Sequence, residues 1–377
     1  MKIPFFDWPE IYKEDRDRYL SCIDRTLLSG GFILQEDVSK FEQNLCNYLG
    51  VKYAVGVADG TNALLLGLRA SGIGPGDEVI LPGHAFIAAA QSIHHAGATC
   101  NLVDINTHDW LIDASVIETA ITKKTKAIMP VHVNGRLCEM DSIRSLAQKY
   151  GLKVFEDAAQ ALGAKFRGNH VGHYSDWGTF SFYPSKTLGG FGDGGALVTN
   201  DKNIYDRVME MRNHGANEKK EISETTDVWG TNSRLDNLQA AILNEKFPKY
   251  ESYIARRREI AQHYNTNFSG FDHLKLPPQP SLDETNYDVF QNYEICTPLR
   301  ERLREHLSSK GIGTIVQWGG LGLNKLENLG LKKRLPATDL FFQQSALLPM
   351  NHFLSDSQVD YITQNVVEFF EANDGAF

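Results

Sequence analysis

Cysteine is scarce in this 377-residue chain and badly placed for cross-links. Cys22, Cys46, Cys100, Cys138 and Cys296 are odd in number, scattered and never spaced as CxxC, so neither a disulfide framework nor a zinc or other metal site is indicated. Reduced thiols in a reducing compartment are the expectation. No stretch approaches the roughly 20 apolar residues that a membrane span needs. Met1–Arg18 mixes charges with Pro4 and Pro9 and has no apolar run of signal-peptide length. A cytoplasmic address follows as the default, with no membrane partner. Positive charge is also in short supply: 38 Lys and Arg stand against 47 Asp and Glu, a net charge of −9, which argues against a nucleic-acid-binding face. The run Arg256-Arg257-Arg258 lies among helix formers and reads as a solvated face. No internal repeat or low-complexity tract is visible.

What is present is the composition of a globular protein, 42% hydrophobic and 23% charged, long enough to favour two domains. Apolar or β-branched runs recur at Tyr53–Val57, Glu78–Leu81, Thr99–Val103, Ala127–Val131, Lys153–Phe155, Gly178–Phe182 and Ala196–Thr199. Between most of them lie segments of helical length: Ala63–Ala70, Ala85–His95, Ala114–Ile121 and Met140–Tyr150. That alternation predicts an α/β fold with a mainly parallel, seven-stranded sheet covered by helices, whose chemistry sits at the carboxyl ends of the strands. Beyond Asn200 the rhythm changes. Ile204–Arg212 reads as a helix, His214–Asn232 as polar and irregular, and Arg234 to about Tyr264 as one long helix. After the proline-rich Leu276–Pro280, strands are expected at Val289–Cys296 and Thr314–Trp318 and helices at Leu299–Ser308 and Ser357–Glu371, a smaller α+β domain. The predicted division is 1–245, with an N-terminal helix and an interface arm, and 246–377.

Lys186 ends the stretch Thr179-Phe180-Ser181-Phe182-Tyr183-Pro184-Ser185-Lys186 and precedes a glycine run from Gly189 to Gly195, broken by Phe191 and Asp193. A lysine between an apolar strand and a flexible turn is placed to form a Schiff base with a carbonyl cofactor, although most loop lysines are merely solvated charges. Asp157 ends the apolar run Leu152–Glu156 and could keep a pyridine nitrogen protonated, or only cap the next turn. Gln160, a helical turn onward, could bond a phenolic oxygen or pack beside a ring. Ser181 could donate to a phosphate. Asp59-Gly60-Thr61-Asn62 opens a helix, where free amides and the dipole stabilise an anion; the plainer alternative is a helix cap. Phe86 could stack on a planar ring or be a core aromatic. His132 and His214 are possible acid/base groups, but with no obvious acid/base partner nearby each reads rather as a hydrogen-bonded structural histidine.

These residues carry a resemblance. The segments Asp59–Leu64, Pro130-Val131-His132 with Met140-Asp141, Glu156–Ala161, Phe180–Lys186 and Gly230–Asp236, in this order, resemble the DegT/DnrJ/EryC1/StrS family of sugar aminotransferases, which have the aspartate aminotransferase (type I) pyridoxal-phosphate fold. The resemblance spans about Ser29 to Ile362. It implies that Lys186 bonds the cofactor aldehyde, Asp157 faces the ring nitrogen, Gln160 lies beside the ring and Phe86 stacks on it. Gly60, Thr61, Asn62 and Ser181 would hold the phosphate. Asn232 matches a position that reaches the phosphate from the neighbouring subunit, which implies a homodimer with shared active sites and makes His214–Asn232 the crossing arm. The reaction implied moves an amino group from L-glutamate to a keto-deoxysugar on a nucleotide, with pyridoxamine phosphate formed between half-reactions, in amino-sugar synthesis for surface polysaccharides or antibiotics. The glycine run looks more like members that aminate C3 than like C4 enzymes. Some relatives replace the lysine with histidine and are dehydratases, from which Lys186 separates this chain; a regulatory protein that binds cofactor or nucleotide-sugar without turnover is the non-enzymatic alternative. Ile315–Gly322 departs from the proline- and histidine-containing segment of many members, so sugar contacts from there do not carry over.

Overall fold

The computed structural model describes residues 1–216, 228–280 and 285–373. Three helices that the sequence pattern did not separate come first: α1 (Trp8–Lys13), α2 (Arg16–Ser29) and α3 (Glu36–Leu49). Strands and helices then alternate as β1 (Tyr53–Val57), α4 (Gly60–Ala70), β2 (Glu78–Pro82), α5 (Ile87–His95), β3 (Thr99–Val103), α6 (Ala114–Ala120), β4 (Thr125–Ile128), α7 (Met140–Tyr150) and β5 (Lys153–Asp157). A two-residue hairpin, β6 (Lys165–Phe166) and β7 (Asn169–His170), leads to β8 (Trp177–Ser181), β9 (Gly195–Thr199) and α8 (Lys202–Met211).

The expected seven strands form one sheet in the order β1-β9-β8-β5-β4-β2-β3. Only β9 runs against its neighbours, β1 and β8; the other four pairings are parallel. Helices on both faces bury the middle of the sheet, which is why Val79-Ile80-Leu81 in β2 is a continuous apolar run with no alternation, while the edge strand β3 leaves Thr99 exposed. The six mutually parallel strands therefore all end on one side, and the loops that leave those ends carry Asp59, Phe86, His132, Asp157 and Lys186.

The second half is α9 (Asn237–Lys246), α10 (Tyr250–Phe268), β10 (Asn286–Tyr287), β11 (Tyr293–Cys296), α11 (Arg300–Ser309), α12 (Pro336–Gln344), β12 (Ser345–Leu348) and α13 (Asp356–Ala372). β11 pairs antiparallel with β12. Four expectations need correction. The single helix over Arg234–Tyr264 is two, α9 and α10, joined by a 3-10 turn at Phe247–Lys249; Pro248 lacks the N–H and its ring clashes with the carbonyl four residues back. The strand Thr314–Trp318 is not formed: Ile315 makes one bridge to Leu347, then Trp318, Gly319 and Gly320 take φ of 48°, 72° and 79°. The strand Val289–Cys296 shortens to β11 because Phe290, at φ 49°, leaves the extended region. Ala127–Val131 shrinks to β4, with Val131 keeping one bridge to Asp157. The middle of the arm His214–Asn232 lies outside the described residues, and its ends meet in a bridge between Asn213 and Asn232.

Among the described residues two large apolar cores result, with two small clusters around Phe341 and around Cys22 beside them. The larger fills both faces of the sheet and takes Tyr253 and Ile254 from α10; the smaller takes Ile260, Tyr264 and Phe268 from the same helix, with Leu303, Leu348, Ile362 and, from the far N-terminus, Ile3. Arg257, between those two sets, is only 5% exposed, so the arginine run is not a solvated face throughout. All five cysteines are free thiols. Among the described residues no helix is long and apolar enough to cross a membrane, and no three His, Cys, Asp or Glu side chains cluster as a metal site would require.

Candidate active site

A cavity of about 590 Å³ opens at the strand ends. Its sheet side is built by adjacent strands. β5 delivers Asp157 at its last position and β8 delivers Ser181, after which the chain turns through Tyr183–Lys186, closed by a bond from the Lys186 N–H to the Tyr183 carbonyl at 2.8 Å. α4 points its N-terminus into the same space. Asp59 caps it, its carboxylate accepting from the backbone N–H of Asn62 at 2.8 Å and from the Asn62 side chain at 2.7 Å. The cap expected as the plainer alternative is thus real, and it leaves the first amides of the helix without intrahelical partners. Two glycines permit this crowding. A Cβ on Gly60 would lie 3.0 Å from the Ser181 Cβ, and one on Gly195 would lie 2.3 Å from the Asp59 carbonyl carbon.

Burial sets the electrostatics. It pushes the Lys186 ammonium down to about 8, against the pull of the Asp157 charge. It also raises the buried Asp157 carboxyl, a shift opposed by the Ala159 N–H, by Lys186 and by His132. The two groups therefore stabilise each other's charged forms in a poorly hydrated place. His132 is hydrogen-bonded, as a structural histidine should be, through partners that the sequence did not make obvious: its Nε2 is 2.9 Å from Glu156, and its Nδ1 accepts from the Cys138 N–H at 3.1 Å. Glu156 also accepts from the Gly172 N–H and the Ser175 hydroxyl. Adjacent residues of β5 thus serve different ends, Glu156 a closed polar network and Asp157 the cavity.

Lys186, Asp157, Gln160, Ser181, Gly60, Thr61 and Phe86 all line the cavity. Phe86 is 50% exposed there, so it is no core aromatic. Gln160 accepts from the Asn134 N–H at 2.7 Å. Asn62 has its side chain turned to Asp59. Asn232 is exposed and lies off this chain's own cavity, and His214 is exposed and apart from it as well.

The opposite wall was missed. Gln291, Asn292 and Gln317 come from the second half, and Asn134 bridges them: its Oδ1 accepts from Asn292 at 2.8 Å and from Gln317 at 3.2 Å. Trp318 lines the cavity with its ring 5.9 Å from that of Phe86. Phe5 and Phe6 reach it from the N-terminus. They are held there because Ile3 is buried and exchanges backbone hydrogen bonds with Gly311 and Gly313, each 2.8 Å. Only the adjacent pair Phe5-Phe6 in a polar terminus could have signalled this.

The donor set fits pyridoxal phosphate. That group presents an aldehyde, a ring nitrogen and a phosphate; the cavity presents a buried amine, a buried carboxylate, and a helix N-terminus beside a serine hydroxyl in a space that glycine keeps open.

Known proteins agree. The "Pleiotropic regulatory protein" of Geobacillus stearothermophilus is 37% identical over 373 residues, covering 98% of this chain and 99% of that protein. The dTDP-3-amino-3,4,6-trideoxy-alpha-D-glucose transaminase of Streptomyces venezuelae is 37% identical over 379 residues, covering 100% and 98%. Among solved structures, S. venezuelae DesV in complex with a ketimine intermediate superposes with a TM-score of 0.93 at 36% identity, covering 98% of this chain and 99% of that one. A Bacillus subtilis protein with bound pyridoxamine phosphate cofactor gives 0.90 at 29%, covering 98% and 85%. The family profile itself matches residues 13–367. With a lysine and a carboxylate facing one cavity at the strand ends, and with that match, the chain belongs to the DegT/DnrJ/EryC1/StrS aminotransferase family, whose cofactor is pyridoxal phosphate.

Proposed function

We propose that the chain transfers an amino group from L-glutamate to the C3 keto group of a nucleotide-linked deoxysugar, in amino-sugar synthesis in the cytoplasm, as a homodimer. In this reading residues 1–245 form the cofactor-binding body and 246–377 the smaller unit. The observation that carries it is the placement of Asp157 at the end of β5 and of Lys186 on the turn that leaves the adjacent strand β8, both lining one cavity beside the start of α4. When bound, pyridoxal phosphate supplies an electron sink that makes an amino acid's α-proton removable. Lys186 holds the cofactor and moves that proton; burial brings its amine to about 8, so an appreciable uncharged fraction exists near neutral pH. Asp157 keeps the ring nitrogen protonated, Phe86 and Gln160 orient the ring, and Ser181 with the amides of Gly60 and Thr61 takes the phosphate; Asn62, whose N–H and side chain both donate to Asp59, holds the cap of α4 rather than the phosphate itself. In the second half-reaction Lys186 returns a proton at the sugar carbon.

Support for the acceptor is the 3-amino sugar in the name of the Streptomyces relative and the glycine run after Lys186. Support for the dimer is surface. Trp229 is 94% exposed, three residues from the exposed Asn232, which is the residue to reach the partner's phosphate. The name of the Geobacillus relative keeps a regulatory role in view as the second reading.

The test is the visible absorbance of the protein with pyridoxal phosphate, before and after excess L-glutamate. Loss of the imine band on adding glutamate, and its return with a 3-keto but not a 4-keto nucleotide-sugar, is the expected result. A band that glutamate leaves unchanged favours another donor or the regulatory reading, and no band at all removes the proposal.

A further inference from the structure

Lys186 stands on a turn outside the ladder of the sheet, closed locally by the bond from its own N–H to the Tyr183 carbonyl. The glycine run follows it, and a lysine amine at the end of a four-carbon stem is only as well placed as the backbone beneath it. A distant side chain grips that backbone on both sides of the lysine. The Gln291 amide oxygen accepts from the Thr187 N–H at 2.8 Å and from the Thr187 hydroxyl at 2.9 Å, while its nitrogen donates to the Ser185 carbonyl at 2.8 Å. Gln291 is 5% exposed, so these bonds are made away from bulk water, where each unmade one would be costly.

Gln291 is itself held in place. Phe290 sits at φ 49°, a conformation that a bulky residue keeps only when its surroundings enforce it. The enforcing group is Arg257 in α10, whose Nη1 donates to the carbonyls of Phe290 and Gln291, both at 3.0 Å, and of Met350 at 2.9 Å. Burial lowers the guanidinium to about 10, which leaves it charged at neutral pH and its bonds charge-assisted. On the other side Asn292 donates to Asn134, whose own N–H binds Gln160. Residues 290–292 thus link α10, the lysine turn and the cavity wall.

We infer that Gln291 is a positioning residue, which fixes residues 185–187 so that the Lys186 amine is aimed at the reacting atoms, and that Arg257 acts through it. This rests on the reading of Lys186 as the group that bonds the cofactor and moves the proton.

Wild type, Gln291→Met and Gln291→Glu are compared, first without cofactor. Methionine keeps the volume and loses every bond; glutamate keeps the acceptor toward Thr187 and loses the donor to Ser185. Amide hydrogen exchange over residues 183–190 is expected to quicken by about tenfold or more in Gln291→Met, with Gln291→Glu between it and wild type. Pyridoxal phosphate is then added, capture is followed by visible absorbance, and borohydride reduction with peptide mapping locates the adduct. Capture by Lys186 should slow roughly ten- to hundredfold in Gln291→Met, the scale that small misplacements of a reacting group produce. An unchanged capture rate with only a lower melting temperature would make Gln291 structural and overturn the inference, as would unchanged exchange. If wild type itself gives no adduct on Lys186, the functional reading fails and this inference with it; an adduct formed equally fast in wild type and Gln291→Met overturns the inference alone.

Discussion

The two walls of the cavity are made in different ways. One stands on the ends of β5, β8 and α4, where register fixes each group: Asp157 pairs with Thr179, two residues before Ser181, and Gly195 on β9 pairs with Ser181 itself. The other is assembled from Phe5 and Phe6, from Gln291 and Asn292, and from Gln317 and Trp318 at the start of a turn whose backbone is left-handed from Trp318 to Gly320. A hydrogen-bonded sheet holds reacting groups rigidly, whereas loops can vary without disturbing the fold. The difference points to a division of labour, chemistry on the sheet wall and acceptor recognition by the aromatic side chains of the loop wall, with Gln291 as the link from the loop wall to the lysine turn.

The strongest way to break that division is at its centre. Lys186→Arg keeps a charge but removes the nucleophile, and turnover is expected to fall by at least about a thousandfold, in line with losing a proton-transfer group. Single-turnover kinetics with glutamate alone and with acceptor alone should show the loss in both halves. Asp157→Asn should come next, with cofactor still bound and both half-reactions slowed by roughly a hundred- to a thousandfold, the usual cost of removing one preorganised electrostatic partner. A loss confined to one half-reaction in either variant would contradict the shared use of the sheet wall.

The contrast between the walls also explains what the sequence could reveal. Strand and helix periods made the seven-stranded sheet readable, and Asp157, Ser181 and Lys186 follow from it because a parallel sheet presents its strand ends together. His132 lost its partner in the reading because Glu156 meets it only through the neighbouring strand. Gln291 is more than a hundred residues from Thr187 along the chain, and nothing local marks an amide that will cross that gap. Trp318 was read as a strand residue because alternation there outweighed Gly319-Gly320, which allow the left-handed turn. Phe5 and Phe6 depend on the docking of Ile3 into a core built some 250 to 350 residues later in the chain, which no window of sequence contains.

Loop-wall variants sharpen the comparison with smaller effects. Truncating one aromatic that contacts a ligand forfeits about 1.5 to 3 kcal/mol of burial, so Trp318→Ala and Phe6→Ala should each lower kcat/KM for the nucleotide-sugar by roughly ten- to hundredfold. The rate of the glutamate half-reaction should change by less than about threefold, since Lys186, Asp157 and α4 are untouched. Equal losses in both half-reactions would dissolve the distinction between the walls.

The smallest effect concerns stability and is read without cofactor. Lys186 carries a pKa depressed to about 8 from an ordinary 10.5, because its ammonium is poorly hydrated in the folded chain and well hydrated in the unfolded one. For a base with a lowered folded-state pKa the unfolded chain binds the extra proton, so the cost to folding is fully present below about pH 8 and fades as pH rises toward 10.5. Lys186→Met removes that cost. The melting temperature of the variant should exceed that of wild type near pH 7 by about 2 to 4 °C, a gain kept small because Asp157 loses its cation at the same time. By pH 10, still below the ordinary lysine value, the difference should have shrunk to about a quarter. Lys246, also lowered to about 8 by burial, is present in both proteins and cancels. A gain that stays constant from pH 7 to 10 would mean that packing rather than the charge sets it, and that the sheet wall does not hold its amine at the strained protonation balance on which the proposed chemistry depends.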